Sequence, residues 1–400
     1  MGIYERLGAR AIINVAGAST RIGGALMPPE VVEAMSEAAL QSVSMTELQA
    51  AASRTISELT GSEAGYVTAS ASSALTLATA AVLAGLDPAR IDRLPDTTGM
   101  PNEVIISKEQ RTGYDHSIRL AGARLVEIGM NEAAAGAGVR RSEIWEYESA
   151  ITSQTIAIAY IADRNATPPL KDVVDVAHRH GLPVIVDAAG ELPPASNLRA
   201  FVDTGADLIA FSGGKAILGP QSTGLLLGSR AHIASVALQH LDQDERFDVW
   251  EPPKDFIDKS ELVGLPRHGI GRGFKVAKEE VVGVLTALRL FVDGKIGADF
   301  SGQRGHLEYL ADGLSGLPAE PRIFEDPVSG QPVMHLVLDS QAIGMSGVEV
   351  CRELRAGDPG IFPGEGQLDN DTLVISAFTL NQSRTEQLTS RLRQVVRKAP

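Results

Sequence analysis

Two residues of this 400-residue chain have the surroundings that chemistry needs: Lys215 and Asp187. Lys215 ends the tetrapeptide SGGK (212–215), between apolar runs at Ala206–Phe211 and Gly224–Leu227 that read as buried strands. An ammonium held between such strands is costly unless its charge is removed or used. A partly desolvated lysine becomes a nucleophilic amine, able to form a Schiff base with a carbonyl compound. A strand-turn-strand whose lysine points to water is the plainer reading of the same tetrapeptide. Asp187 ends a second apolar run, LPVIVDAA (182–189). A carboxylate at the carboxyl end of a parallel strand lies at the face where α/β sheets bind ligands.

Together the two side chains meet the needs of pyridoxal 5'-phosphate (PLP). That cofactor takes a lysine for its Schiff base and an acid against its pyridinium nitrogen. Its phosphate would suit the segment YVTASASSALTLATAAVLAG (66–85), a strand, a small-residue turn and an Ala-rich helix. Backbone N–H groups and the helix dipole at such a start favour an anion, which makes Ser70, Ala71 and Ser72 candidate phosphate contacts. Serines that only cap the helix are the alternative. Ser212, three residues before the lysine, is placed to reach the phosphate, and Gln221 with Thr223, after the Gly219-Pro220 turn, to complete the phosphate site of this or a neighbouring subunit. Glu191, in the turn ELPP, is either structural or a second acid/base group. Arg272, on the glycine-rich approach to a long helix, either receives an anion or is a surface cation; His268 lies beside it.

VIVDAAGELPP followed by FSGGKAILGPQSTGLLLG resembles the fold-type-I PLP-dependent enzymes. More narrowly, it is similar to their selenocysteine synthase-like branch, which includes seryl-tRNA selenium transferase and the D-glucosaminate-6-phosphate ammonia-lyase-type proteins. Softer matches extend from INVAGASTRIGG (13–24) to GDPGIF (357–362), so the resemblance spans nearly the whole chain. It implies that a flat or polar side chain covers the pyridine ring, for which Gln110 and His116 are the candidates, with Tyr114 behind them. It also implies an N-terminal segment that reaches a neighbouring subunit, making Asn14, Thr20 and Arg21 candidates for substrate contact. Two positions depart from the pattern. Ser70 stands where a glycine is usual, and Ala189 where many relatives carry histidine or glutamine, so another group must hold the ring oxygen.

Lysine and aspartate alike need strands to hold them. Apolar runs and helical patterns alternate from residue 66 to 228, which argues a largely parallel sheet covered on both faces. The expectation is an α/β protein with the fold-type-I PLP-dependent transferase fold: a mostly parallel, seven-stranded-type sheet plus a smaller α+β domain. The chain divides accordingly into an N-terminal segment (1–25), a large PLP-binding domain (26–285) and a small C-terminal domain (286–400). Asp87–Asn102 reads as a loop, and the chain beyond Leu241 as irregular until a helix begins near Val276.

Composition narrows the partners. A net charge of −14 argues against nucleic acid, whose phosphates demand a basic footprint. One cysteine, Cys351, excludes an intramolecular disulfide and leaves no cysteine cluster for a metal. Neither a signal peptide nor an apolar run of membrane-spanning length is evident, so a cytoplasmic protein without membrane association is expected. The site is expected to form between subunits of a homodimer or larger homo-oligomer.

PLP opens several reactions. The resemblance, and the poor fit of ISAFTLNQSR (375–384) to an aminotransferase's carboxylate-binding arginine, point to a lyase. It would catalyse α,β-elimination from a small β-hydroxy or β-substituted amino acid, with Lys215 as Schiff-base lysine and general base. A racemase, an aldolase and a selenium-transferase-like enzyme are the alternatives. The last is disfavoured by the acidity of the chain and by the absence of an RNA-binding domain ahead of INVAGAS. A non-catalytic relative of the fold would be expected to lose the lysine or the acid, and both are present.

Overall fold

Residues 2–130, 141–297, 300–327 and 329–397 are described by the computed structural model. Two compact units divide the chain, Met1–Leu26 with Ile296–Pro400 and Met27–Lys295. The boundary falls beyond the expected residue 285 because the helix Lys278–Val292 buries Val281, Val284, Leu288 and Phe291 and packs on Pro29–Ala39 and Met45–Thr60, all within the larger unit.

The smaller unit carries β1 (Ile12–Val15). The larger one holds β2 (Ala64–Thr68), β3 (Glu103–Ser107), β4 (Arg124–Ile128), β5 (Thr155–Ile161), β6 (Val184–Asp187), β7 (Leu208–Ser212) and β8 (Gly224–Gly228). They form one seven-stranded sheet in the order β2-β8-β7-β6-β5-β3-β4. All neighbouring pairs are parallel except those of β8, which runs antiparallel to both β2 and β7. Every residue of β2, β3 and β6 is buried, as expected of strands covered on both faces.

One helix is central to that packing. Ala71–Ala84 is buried at nearly every position from Ser73 onward, and its alanines let it lie close on β8, β7 and β6. Two stretches differ from the sequence reading. The expected loop 87–102 contains the helix Pro88–Arg93, started by Pro88 in the first turn and by Asp87, whose carboxylate accepts from the Ala89 N–H at 2.9 Å. Arg230–His240 is a further helix of the larger unit, capped by Ser229 and packed on Ala71–Ala84.

In the smaller unit, β9 (Ala319–Glu325), β10 (Pro332–Leu338) and β12 (Thr372–Ser376) form an antiparallel sheet, and β11 (Gly360–Pro363) pairs in parallel with β1. β10 alternates buried and half-buried residues, so one face packs on a core shared with Leu307, Leu310, Leu388 and Leu392.

Candidate functional site

Because β2, β3, β5, β6 and β7 run the same way, their carboxyl ends share one edge of the sheet. Asp187 is the last residue of β6 and pairs in register with Ile161 and Ala210 on its two sides. The residue is buried, with an exposure of 9%. One oxygen accepts from the Ala189 N–H at 3.0 Å. Burial pushes the carboxyl above its ordinary range, opposed by that hydrogen bond and by the attraction of Lys215.

Lys215 lies in the turn after β7, held by hydrogen bonds from Gly213 N–H to Thr223 O (2.9 Å), Gly219 N–H to Gly213 O (2.9 Å) and Leu218 N–H to Lys215 O (3.0 Å). The turn is strained: Leu218 has φ +59°, a left-handed conformation unfavourable for a bulky side chain. The lysine is exposed, not desolvated as expected. The glycine turn lifts it out of the buried layer, and the buried member of the pair is Asp187. A carboxylate with no buried cation beside it is matched to a ligand that brings positive charge.

The glycines around the lysine serve close approach. A Cβ on Gly214 would lie 2.6 Å from Gln221 Cα, and one on Gly213 would lie 2.3 Å from Thr223 Oγ1. Gln221 is thereby brought against the lysine turn, whereas the Thr223 hydroxyl is occupied by Pro220 O at 2.6 Å. A Cβ on Gly224 would meet the Ser70 carbonyl carbon at 2.4 Å and the Ala71 nitrogen at 2.6 Å. Only glycine lets β8 pass so close to the start of the helix Ala71–Ala84. Gly224 pairs with Thr68 on one side and Ser212 on the other, so Ser70, Ala71, Ser72 and Ser212 are gathered at one point of the edge.

Ser70 caps that helix, its hydroxyl accepting from the Ser73 N–H at 3.0 Å. The Ala71 and Ser72 N–H groups have no acceptor within the helix, by the geometry of a helix start. Ser72 Oγ is 2.5 Å from Ser117 Oγ. This is both a capped helix and an anion cradle, the two readings the sequence left open.

Gln110 follows β3 and is buried. Its Oε1 accepts from the N–H of Ile161, the register partner of Asp187, at 3.1 Å. That bond fixes the amide orientation and leaves Nε2 buried with no partner. His116 instead is exposed at the start of a short helix, its Nδ1 3.5 Å from Arg119 Nη2. Tyr114 is exposed as well. No contact joins either ring to Lys215 or Asp187 among the described residues.

The residues fit PLP on these observations. A buried acid, an unpartnered buried amide donor, a helix start with open N–H groups and a glycine-lined lysine turn stand on one sheet edge. Among the described residues no group of three or more His, Cys, Asp or Glu could hold a metal ion. No helix there is long and apolar enough to cross a membrane.

The remaining candidates have partners of their own. In the smaller unit, Arg21 and Arg355 both pair with Glu365. Asn14 is structural: its amide donates to Gly17 O (2.9 Å) and Gly24 O (3.2 Å) and accepts from Ala16 N–H (2.9 Å). In the larger unit, Arg272 pairs with Asp242 and lines a cavity of about 200 Å³ with Tyr66, His240 and Lys275. Sequence reasoning missed that cavity. Tyr66 and His240 share a 2.9 Å hydrogen bond between residues 174 positions apart, which no local pattern announces.

Comparison with known proteins adds descent to geometry. Residues 12–250 match the family model SelA, L-seryl-tRNA selenium transferase. The D-glucosaminate-6-phosphate ammonia lyase of Salmonella typhimurium is 28% identical, over 99% of this chain and 98% of its own. A solved D-glucosaminate-6-phosphate ammonia-lyase superposes with a TM-score of 0.81 at 27% identity, covering 99% of this chain and 98% of that one. A 5'-C-glycyluridine monooxygenase-decarboxylase of a Streptomyces species is 30% identical over 98% of this chain and 92% of its own. At the level of fold alone, a serine palmitoyltransferase of S. paucimobilis solved with bound PLP matches with a TM-score of 0.53 and 13% identity, over 96% of this chain and 88% of the other.

Proposed function

The chain belongs to the L-seryl-tRNA selenium transferase (SelA) family, and on that premise we propose that it is a PLP-dependent lyase catalysing α,β-elimination from a small β-hydroxy or β-substituted amino acid. The observation that carries the reading is the Asp187–Lys215 pair on one sheet edge, in a chain similar from end to end to an ammonia lyase.

Lys215 would carry the cofactor covalently, and Asp187 would face its pyridinium nitrogen. The Ala71 and Ser72 N–H groups, with Ser70, Ser212 and Gln221, would take the phosphate. Gln110 Nε2, buried and unpartnered, supplies a donor for the ring oxygen where Ala189 cannot. When bound, PLP supplies an electron sink that makes the α-proton of an amino acid removable.

The protein's own work is then positional and protolytic. Burial disfavours a lone charge on Asp187, so a bound cationic ring nitrogen would be the partner that holds the carboxylate ionised, at a site buried enough for that charge to count. Lys215, on an exposed turn beside it, can take the proton from the α-carbon as general base. Loss of the β-substituent follows, and the unsaturated product hydrolyses to a keto acid and ammonia.

Arg272 is proposed to meet an anionic group of the substrate or cofactor, since a single carboxylate, Asp242, holds it and an anion could replace that carboxylate. Thr20 and Arg21 are proposed to serve the site of a neighbouring copy in a homodimer, with Arg21 likewise held by one carboxylate, Glu365. A cytoplasmic location is part of the same proposal.

The test is a screen of D- and L-β-hydroxy amino acids with the PLP-loaded protein, reading keto acid and ammonia together. Equimolar release of both is expected. Racemisation or aldehyde release without ammonia would transfer the reading to a racemase or an aldolase.

A further inference from the structure

We infer that Glu191 is the proton donor to the departing β-substituent, a role that rests on the elimination reading of the site. The turn after β6 is built to present this residue. Ala189 N–H binds Asp187, Glu191 N–H donates to Ala188 O at 3.1 Å, and the Asn197 amide donates to Glu191 O at 2.7 Å. Backbone contacts on both sides thus fix Glu191, while its half-buried carboxyl makes no hydrogen bond or ion pair among the described residues. Asp115 and Glu103, the buried acids of the same sheet edge and core, are by contrast salt-bridged. A half-buried carboxyl held in place without a protein partner is arranged for a partner that comes and goes.

Its surroundings are those of the site. The charges of Asp163 and Arg164 in the loop after β5, of Asp187 at the end of β6 and of Lys215 in the turn after β7 all act on it, and it acts in turn on Tyr160 of β5. Burial, then Asp163, then Asp187 push the carboxyl upward, and the attraction of Arg164 and Lys215 opposes them. A carboxyl pushed toward its protonated form beside the site is suited to donate a proton to a leaving group.

The step balances. As Lys215 takes the α-proton, the electron pair of the α-C–H bond becomes the second bond between the α- and β-carbons. The β-C–O bond breaks, its electron pair leaves with oxygen, and the Glu191 proton joins that oxygen to release water. Lys215 ends with one proton more and Glu191 with one fewer, and transfer from the ammonium to the carboxylate resets both. Hydrolysis of the product consumes the released water, so a hydroxy amino acid yields a keto acid and ammonia with no other reactant.

The experiment compares leaving groups. Chloride departs without a proton, whereas hydroxide needs one. Glu191→Gln should therefore slow ammonia release from serine (both enantiomers) by about a hundredfold or more, and from 3-chloroalanine by less than about tenfold. Glu191→Asp should restore part of the serine rate. Independently of turnover, an infrared titration of wild type minus Glu191→Gln should reveal one carboxyl protonated above the ordinary glutamate range. Equal losses on both substrates, with an active wild type, would overturn the role of Glu191 alone; so would a carboxyl titrating normally. Wild-type silence toward both substrates would overturn the elimination reading and the role with it.

Discussion

Two clusters of ionisable side chains lie in the larger unit, and they are built on opposite plans. At the carboxyl edge of the sheet, Asp187 and Glu191 are held by backbone and lack side-chain hydrogen-bond partners among the described residues, and Lys215 stands on a strained, exposed turn. Around the 200 Å³ cavity, Tyr66, His240 and Arg272 are tied to one another and to their neighbours, with His240 Nε2 left without a hydrogen-bond partner among the described residues. Tyr66 bonds His240 and stacks on it at 5.2 Å, Arg272 pairs with Asp242, and Arg272 donates to His240 O at 3.3 Å. Burial pushes the Tyr66 hydroxyl up and the His240 imidazole down, so both are neutral. The first plan leaves chemistry available to a ligand; in the second, Tyr66 and His240 turn polar atoms into packing. Substitutions should separate the two, the first losing turnover with the fold intact and the second losing stability.

The largest effect is expected at Lys215. Lys215→Ala should lower turnover at least about a thousandfold, because it removes nucleophile and base together. Urea unfolding of the cofactor-free variant should match that of the wild type, since the exposed side chain packs on little. Asp187→Asn comes next, with a loss of about a hundredfold or more in turnover. The same variant, without cofactor, should be no less stable than the wild type at neutral pH, because burial of the carboxylate opposes folding there. A marked loss of stability would place Asp187 with the structural cluster.

The cavity cluster should answer to pH. His240 falls from 6.5 to about 4 on folding, so the unfolded chain binds the proton more readily. The stability this confers is complete above pH 6.5 and is lost as pH falls toward 4, by up to about 3 kcal/mol. Chemical denaturation across that range should show the loss in the wild type and not in His240→Asn. Tyr66→Phe is the mildest change. It should cost about 1 kcal/mol by removing the partner of His240 Nδ1, with the cofactor's affinity unchanged. A weakened affinity would join the cavity to the site.

The carboxyl edge was legible in the sequence because Asp187, Lys215 and Ser70 stand at or just beyond the ends of apolar runs. Asp187 closes VIVD, Lys215 follows a strand and two glycines, and Ser70 opens an Ala-rich helix, so local pattern sufficed. What pattern could not supply was environment. Desolvation was expected of the lysine and belongs to the aspartate, because the turn geometry of residues 213–219 decides exposure. Gln110 and His116 looked alike as ring contacts; only the bond from Ile161 N–H to Gln110 Oε1 distinguishes them. The pairing of β1 with β11, like that of Tyr66 with His240, joins residues far apart in the chain and leaves no local trace.

Borohydride reduction of the PLP-loaded protein, followed by peptide mass spectrometry, tests the central claim most directly. The account predicts a visible absorption band that reduction removes and a single pyridoxyl group on Lys215, both absent in Lys215→Ala. An unlabelled protein, or label retained on another lysine in that variant, would contradict it.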